Sequence, residues 1–259
     1  MTGSSTPKSK LPLPKIIFFF ANVLFNYFFP IYKFVYFIFK KKQDKLEIEL
    51  IKKYVKSGDV VLDIGANIGF YSNIISSLVG KDGMVHAFEP DPINFKHLQS
   101  VTKGLKNIKI NNLAVADKQG ELKLYTSTLL NVDHRTYKTD DYGKSFTVKA
   151  DTIDNYLDGN RKVDFIKMDI QGAEVYALHG MSKTIDANPQ IKILSEIEPF
   201  GLKASGASVD EFYDFIISKN FKIHLIKNNT LVPLTNFKEI ERENKKDYYF
   251  NILLSKTEI

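Results

Sequence analysis

The stretch Val60-Val61-Leu62-Asp63-Ile64-Gly65-Ala66-Asn67-Ile68-Gly69 decides the fold. Apolar residues run up to a carboxylate and then into two glycines placed four apart, which predicts a buried strand entering a tight turn. A second strand, Met84-Val85-His86-Ala87-Phe88, ends in Glu89. A glycine turn followed one strand later by an acid is how an α/β sheet holds an adenosine-type ligand. The glycines let the backbone approach the ligand, and the acid accepts hydrogen bonds from ribose hydroxyls.

The turn also separates two ligand classes. A dinucleotide fingerprint reads G-x-G-x-x-G, with a pyrophosphate on the helix N-terminus. Here Gly65 and Gly69 stand alone, and Asp63 occupies the place of the first glycine. A carboxylate beside the turn repels a pyrophosphate and suits a cation. S-adenosylmethionine carries a sulfonium and an ammonium group. The competing reading is an ordinary strand-turn-helix corner with a capping acid.

The chain of 259 residues is long enough for one full α/β domain and an appendage. It has no cysteine, which excludes disulfides and thiolate metal or redox chemistry. That fits a reducing, cytoplasmic location. The charge is unevenly placed. Residues 1–42 hold seven lysines and no acid, and removing that +7 from the net +6 leaves −1 for residues 43–259. The basic character therefore belongs to the N-terminus, so no nucleic-acid partner is expected for the main domain, which would need a basic face of its own.

Residues 1–43 and 44–259 read as separate units. Residues 1–14 are rich in Ser, Pro and Lys and read as disordered. From Ile16 to Phe39 the chain is apolar except for Asn22, Asn26, Pro30 and Lys33, and it holds nine of the 20 phenylalanines. At about 100° per residue, Lys15, Asn22, Asn26, Lys33 and Lys40 form one narrow polar stripe. Pro30 is expected to kink or split the helix. Such a segment is a candidate for peripheral membrane association, its lysines toward anionic head groups. The alternatives are a membrane span and packing on the domain or on another subunit.

Beyond Gln43 helices and strands alternate. Strands are expected at 59–64, 84–88, 108–114, 163–168, 192–197, 221–226 and 248–254. Helices are expected at 45–56, 68–79, 92–103, 152–157, 172–181 and 209–219. The segments 120–127 and 145–150 alternate as antiparallel strands, and 128–144 and 228–247 read as polar surface connections. Such alternation predicts a mostly parallel sheet covered on both faces.

Three blocks give the chain a family likeness. They are Val61 to Tyr71, then Val85-His86-Ala87-Phe88-Glu89-Pro90, then Asp164-Phe165-Ile166-Lys167-Met168-Asp169-Ile170-Gln171-Gly172-Ala173-Glu174. Together they resemble the FkbM family of S-adenosylmethionine-dependent methyltransferases, over roughly residues 45–255. Weaker support comes from Asn112 to Asp117 and from Thr152-Ile153-Asp154. The resemblance implies a Rossmann-like three-layer sandwich whose seven-stranded sheet ends in an antiparallel strand. It implies O-methylation of a hydroxyl, often on a sugar or a polyketide-like secondary metabolite, and the apolar, lysine-flanked N-terminus adds a glycan or lipid-linked acceptor to that expectation. Gln171 departs from the family, which more often shows Glu there.

Ligands of open α/β sheets sit beyond the carboxyl ends of the strands. Asp63, Gly65, Asn67 and Gly69 are therefore expected at the donor's methionine end, Glu89 at its ribose, and Ala114 and Asp117 beside its adenine. Asp169 ends the strand next to the first and is the leading candidate for a base, with a helix cap as its bland alternative. Glu174 reads more simply as a first-turn acid. Glu196, a further catalytic candidate, and Glu198 share one side of the fifth strand. With Asp169 they are candidate ligands for a divalent metal such as Mg²⁺. His134, beside Arg135 in the 128–144 loop, is a second candidate base. The remaining histidines, His86, His97, His179 and His224, read as structural. Two rival functions stay open: a non-catalytic scaffold that keeps the fold, and a dinucleotide oxidoreductase.

Overall fold

The computed structural model describes residues 8–9, 15–127, 134–138, 142–159, 162–227, 230–235, 237, 240 and 248–259. Its elements run β1 (Lys8–Ser9), α1 (Lys15–Tyr27), α2 (Phe29–Gln43), α3 (Lys45–Tyr54), β2 (Val60–Ile64), α4 (Phe70–Val79), β3 (Met84–Phe88), α5 (Pro92–Thr102), β4 (Ile108–Asn111), β5 (Ala114–Val115), β6 (Gly120–Ser127), β7 (Tyr142–Asp151), α6 (Ile153–Tyr156), β8 (Phe165–Met168), α7 (Glu174–Gly180), α8 (Ser182–Ala187), β9 (Lys192–Ile197), α9 (Pro199–Ala204), α10 (Val209–Ser218), β10 (Lys222–Lys227), β11 (Thr230–Pro233) and β12 (Tyr248–Ser255).

Strands pair in the order β11-β10-β12-β9-β8-β2-β3-β4, and β1 joins β12. The pairs from β9 through β8 and β2 to β3 and β4 are parallel. The last strand, β12, lies antiparallel between β9 and β10. The seven strands expected are present, and two more extend them to nine. One addition is β1. The other is β11, which pairs with β10 from Lys227↔Thr230 to His224↔Pro233. It falls in the stretch read as a polar connection, because it is short and closes on a proline.

Burial alternates along the strands as a two-faced sheet requires. Leu62, Ile64, Ile166 and Met168 face one core with Val175, Leu178 and Phe212. Val61, Val85 and Phe165 face the other, with Ile51, Ile75 and Val79. Helices α3 and α4 cover the second face, and α7 and α10 the first. The result is the expected three-layer sandwich.

One strand divides where the sequence shows continuity. The run 108–114 forms β4, then turns out of the sheet, so that Ala114 begins β5 in a separate three-stranded sheet β5-β7-β6. Asparagine amides make the turn. Asn111 Nδ2 donates to Ala87 O at 3.1 Å, and Asn112 Nδ2 donates to Glu89 O at 2.8 Å and Pro90 O at 2.9 Å. Backbone carbonyls at the end of β3 thus replace the ladder partners that a longer β4 would have used.

The apolar N-terminal segment is two helices split at Phe28, with Pro30 in the first turn of α2. Proline is tolerated there because its missing N–H has no partner within the helix. The polar stripe expected from a single helix is broken by the split. Phe25 is buried against the His97 ring, and Phe29 stacks on the same ring. Tyr36 and Phe37 meet Phe70 on α4 edge-on. Among the described residues no helix is long and apolar enough to cross a membrane. Of residues 1–14, only Lys8 and Ser9 are described, paired to Tyr249 and Tyr248.

Candidate active site

A cavity opens where the carboxyl ends of β2, β3 and β8 meet the second sheet. Gly65, Asn67, Glu89, Ala114, Asp169 and Gln171 line it, as does His134. The turn after β2 is forced close to its neighbour. Gly65 has φ +81°, and a Cβ there would stand 2.0 Å from the carbonyl oxygen of Asp169. Only glycine fits both the left-handed backbone and the approach. Asn67 also takes a positive φ of 51°, a conformation that asparagine tolerates better than most residues.

Glu89 is almost fully buried. Its Oε2 accepts from Asn67 N at 2.8 Å and its Oε1 from Asp91 N at 2.9 Å. Each oxygen keeps a further lone pair. Burial pushes its pKa up to about 8, against the two backbone bonds that favour the charge. Asp91 caps α5, accepting from Ile93 N and Asn94 N at 2.7 Å each. His134 Nε2 lies 3.6 Å from Asp91 Oδ2, and the histidine side chain is only 11% exposed. The loop expected to be solvated is therefore packed at this point. His134 belongs to the Glu89–Asp91 wall, where it pairs with Asp91.

Asp63 and Asp117 stand elsewhere. Asp63 is sealed under the turn rather than lining the cavity, and Ser72 Oγ donates to its Oδ2. Burial raises its pKa to about 6. Gly69, the first residue before α4, lies outside the cavity lining, and a Cβ there would meet Leu98 and Val101. Asp117 is exposed beyond β5 and also lies outside the lining.

The opposite wall is a set of carboxylates and donors. Asp169 is partly exposed, and Gln171 Nε2 donates to its Oδ1 at 2.8 Å and to Glu196 Oε1 at 3.1 Å. Gln171 itself holds a positive φ of 53°. Lys167 Nζ reaches within 4.0 Å of Asp169 Oδ2 and lies over the Tyr71 ring at 5.1 Å. Glu196 does not line the cavity and sits behind Gln171. Glu198 turns away to Arg135, 3.7 Å from its Nη2. Glu174, expected as a first-turn acid, caps its own helix entry, accepting from Gly172 N at 3.1 Å. Its pKa is raised by burial to about 8.

Among the described residues, no three His, Asp or Glu side chains are grouped to hold a metal ion. The candidate set Asp169, Glu196 and Glu198 is divided, the first two bridged by Gln171 and the third paired with Arg135. His179 lies 3.6 Å from Glu211, an acidic neighbour on another helix that its sequence surroundings do not show.

Two residues of this wall come from a segment that reads as lying outside the domain. Tyr36 and Lys40, four apart on α2, line the cavity. Lys40 Nζ pairs with Asp44 Oδ2, and Tyr71 donates to the same oxygen at 2.6 Å. Burial opposes the Lys40 charge, but Tyr36 and Asp44 hold its pKa above the usual lysine value. Burial raises the Tyr36 pKa, and the charges of Asp44, Asp169 and Glu196 add to the rise while Lys40 opposes it.

The donor set suits S-adenosylmethionine. Glu89 offers two acceptors to a vicinal diol. Phe88, Leu113, Val115, Leu122 and Leu124 supply an apolar slot for a purine. The carboxylate of Asp169 favours a cation at the far end.

Comparison with known proteins places the chain in a family. The family model described as the methyltransferase FkbM domain matches residues 63–223. No curated protein matches the chain. Similar solved structures include an S-adenosylmethionine-dependent methyltransferase from Aquifex aeolicus (15% identity, 83% of this chain and 93% of that one, TM-score 0.45). Others are an rRNA methylase from Streptococcus thermophilus (11%, 82% and 95%, TM-score 0.49) and the fibrillarin of Aeropyrum pernix with bound S-adenosyl-L-methionine (15%, 81% and 74%, TM-score 0.44). With more than half of its 259 residues matched, the chain belongs to the FkbM-domain methyltransferases.

Proposed function

We propose that this methyltransferase acts on a hydroxyl oxygen of a sugar, glycan, lipid-linked or secondary-metabolite acceptor, with Asp169 as the base. One observation carries the reading. Asp169 is a cavity-lining carboxylate next to the Gly65 turn, held by neighbours that are donors. The donor, when bound, supplies a methyl group already activated on a sulfonium. The rest of the work falls to this chain's side chains.

Glu89 holds the ribose diol, and the apolar slot sets the purine, so the reacting end is fixed in place. Positioning of this kind can remove much of the barrier to a displacement. An alcohol is a poor nucleophile until its proton has somewhere to go. Asp169 accepts that proton. Gln171 and Lys167 keep the carboxylate oriented, and Tyr36 with Lys40 closes the wall on the acceptor side and excludes water.

The test is donor binding by calorimetry together with methylated product by mass spectrometry, on a panel of hydroxylated acceptors. Asp169→Asn is expected to bind the donor like the wild type and to lose on the order of 10²–10⁴-fold in turnover. Turnover preserved in that variant removes Asp169 as the base. Donor binding with no product from any acceptor class favours the scaffold reading.

A further inference from the structure

The two N-terminal helices leave a large apolar surface uncovered. Phe19, Phe20, Tyr27, Phe28 and Phe34 are each more than half exposed, and Tyr27 is 77% exposed. Ile17, Ile31, Val35, Ile38 and Phe39 of the same two helices are exposed as well, and these ten residues are most of the exposed large hydrophobics among the described residues. Scattered exposed apolar residues need no explanation, but a contiguous patch marks a contact surface.

Helix α2 has two opposed faces. At about 100° per residue, Ile31, Phe34, Val35 and Ile38 fall within an arc of roughly 100°, and Tyr36 and Lys40 fall on the opposite side. The outer face is bare. The inner face lines the cavity. The lysines Lys41 and Lys42, exposed at the end of the helix, project to the outer side by the same spacing. Residues 1–43 contain no acid, and the first one, Asp44, is buried and paired with Lys40.

We infer that this face docks on an anionic membrane surface. The helices lie in one leaflet, with their aromatic side chains among the acyl chains and Lys41 and Lys42 at the phosphates. An apolar face flanked by lysines and free of acids matches that environment in both respects. A second copy of the chain would match the apolar part alone, since the acid-free face offers Lys41 and Lys42 no carboxylate partner. The helices have 13 and 15 residues, and neither spans a bilayer, which needs about 20. The attachment is therefore to one side. Because the same helix walls the cavity, the acceptor would be carried on a lipid, with its hydroxyl-bearing head group at the bilayer surface. This last clause rests on the hydroxyl-methylation reading, and the docking itself does not.

The experiment is co-sedimentation of the full chain with phosphatidylcholine vesicles, with and without about one third phosphatidylglycerol. Wild type is expected to partition onto the anionic vesicles and only weakly onto the neutral ones. The exposed positions of Phe20→Ser/Phe34→Ser/Ile38→Ser allow that variant to fold, and it is expected to remain in the supernatant. Lys41→Ala/Lys42→Ala is expected to lose on the order of 20-fold in partition. Calorimetric donor titration of each variant should match wild type, which separates failure of docking from failure of the methyltransferase site. Equal partition of wild type and the triple variant overturns the inference. So does a stable wild-type dimer in light scattering that does not sediment with vesicles and that the triple variant abolishes.

Discussion

The side-chain amide of Gln171 lies 2.8 Å from Asp169 Oδ1 and donates to it. Its nitrogen reaches Glu196 as well, so one amide bridges two carboxylates that would otherwise repel. Both partners are acceptors, which assigns the nitrogen to that side. Glutamate, the residue more often seen here in the family, could do this only while protonated. The departure visible in the sequence is therefore a change of partner chemistry at the centre of the site.

Gln171→Glu follows directly. It places a third carboxyl group between two others, so its folded-state pKa is raised above the unfolded value. A raised acid pKa favours the folded state at low pH and opposes it as pH rises. The variant is expected to match wild type in Tm near pH 4 and to lose about 1–3 kcal/mol by pH 8. Thermal denaturation across that range measures it.

Glu89 predicts a pH dependence of donor binding. Its pKa lies near 8 in the free protein because of burial, whereas ribose hydroxyls hydrogen-bond best to the ionised carboxylate. Binding near pH 7 should therefore release a proton, and affinity should rise from pH 6 toward pH 8 before levelling. The same shift means that stability contributed by protonated Glu89 is present at low pH and is lost as pH rises through about 8. Calorimetry in two buffers of different ionisation enthalpy detects the proton. Glu89→Gln should abolish the release and weaken binding by about 10–100-fold.

Gly65→Ala tests the turn. The new methyl meets the Asp169 carbonyl oxygen at 2.0 Å on a backbone with φ +81°, so β2 and β8 must separate or the turn must rebuild. A loss of about 2–4 kcal/mol is expected, read as a fall in Tm, together with weaker donor binding. A fully wild-type Tm would show that the turn relaxes freely.

Tyr36→Ala tests the contribution of α2. The ring packs on Tyr32 and Phe70 and walls the cavity. Its removal is expected to raise the acceptor KM by about 10-fold or more and to leave the donor Kd within about 2-fold, since the proposed donor site is built from β2, β3 and the second sheet. Steady-state kinetics with both substrates varied separates the two.

Much of this site is legible in the sequence for a clear reason. Strands such as Val60–Ile64 and Phe165–Met168 are buried on both faces, so their apolar runs are unbroken and their polar ends mark the site. Glu89 and Asp169 are found by that rule. Asp63 shows its limit, because a strand end says where a residue lies but not whether its side chain turns into the cavity or under it. Asp117, exposed two residues beyond β5, lies outside the cavity lining. Tyr36 and Lys40 are missed because their segment is apolar in composition. Their signal is the spacing Lys33, Tyr36, Lys40, which repeats on one helical face, but it points inward only once Asp44 and Tyr71 are known to receive it. Strand β11 and the break between β4 and β5 depend on pairing partners, which local pattern does not contain.

The place of β12 between β9 and β10 has a consequence for biosynthesis. Residues 248–255 fill an interior position of the sheet, and Asn251 reaches back to Glu47 on α3. Until the ribosome has released that strand, β10 and β11 have no bond to the rest of the sheet. The apolar helices α1 and α2 emerge earlier; their inner side meets Phe70 and His97 once α4 and α5 have formed, but their outer face stays uncovered. A nascent chain of this design is exposed to misassociation at its front while it lacks the strand that locks its back.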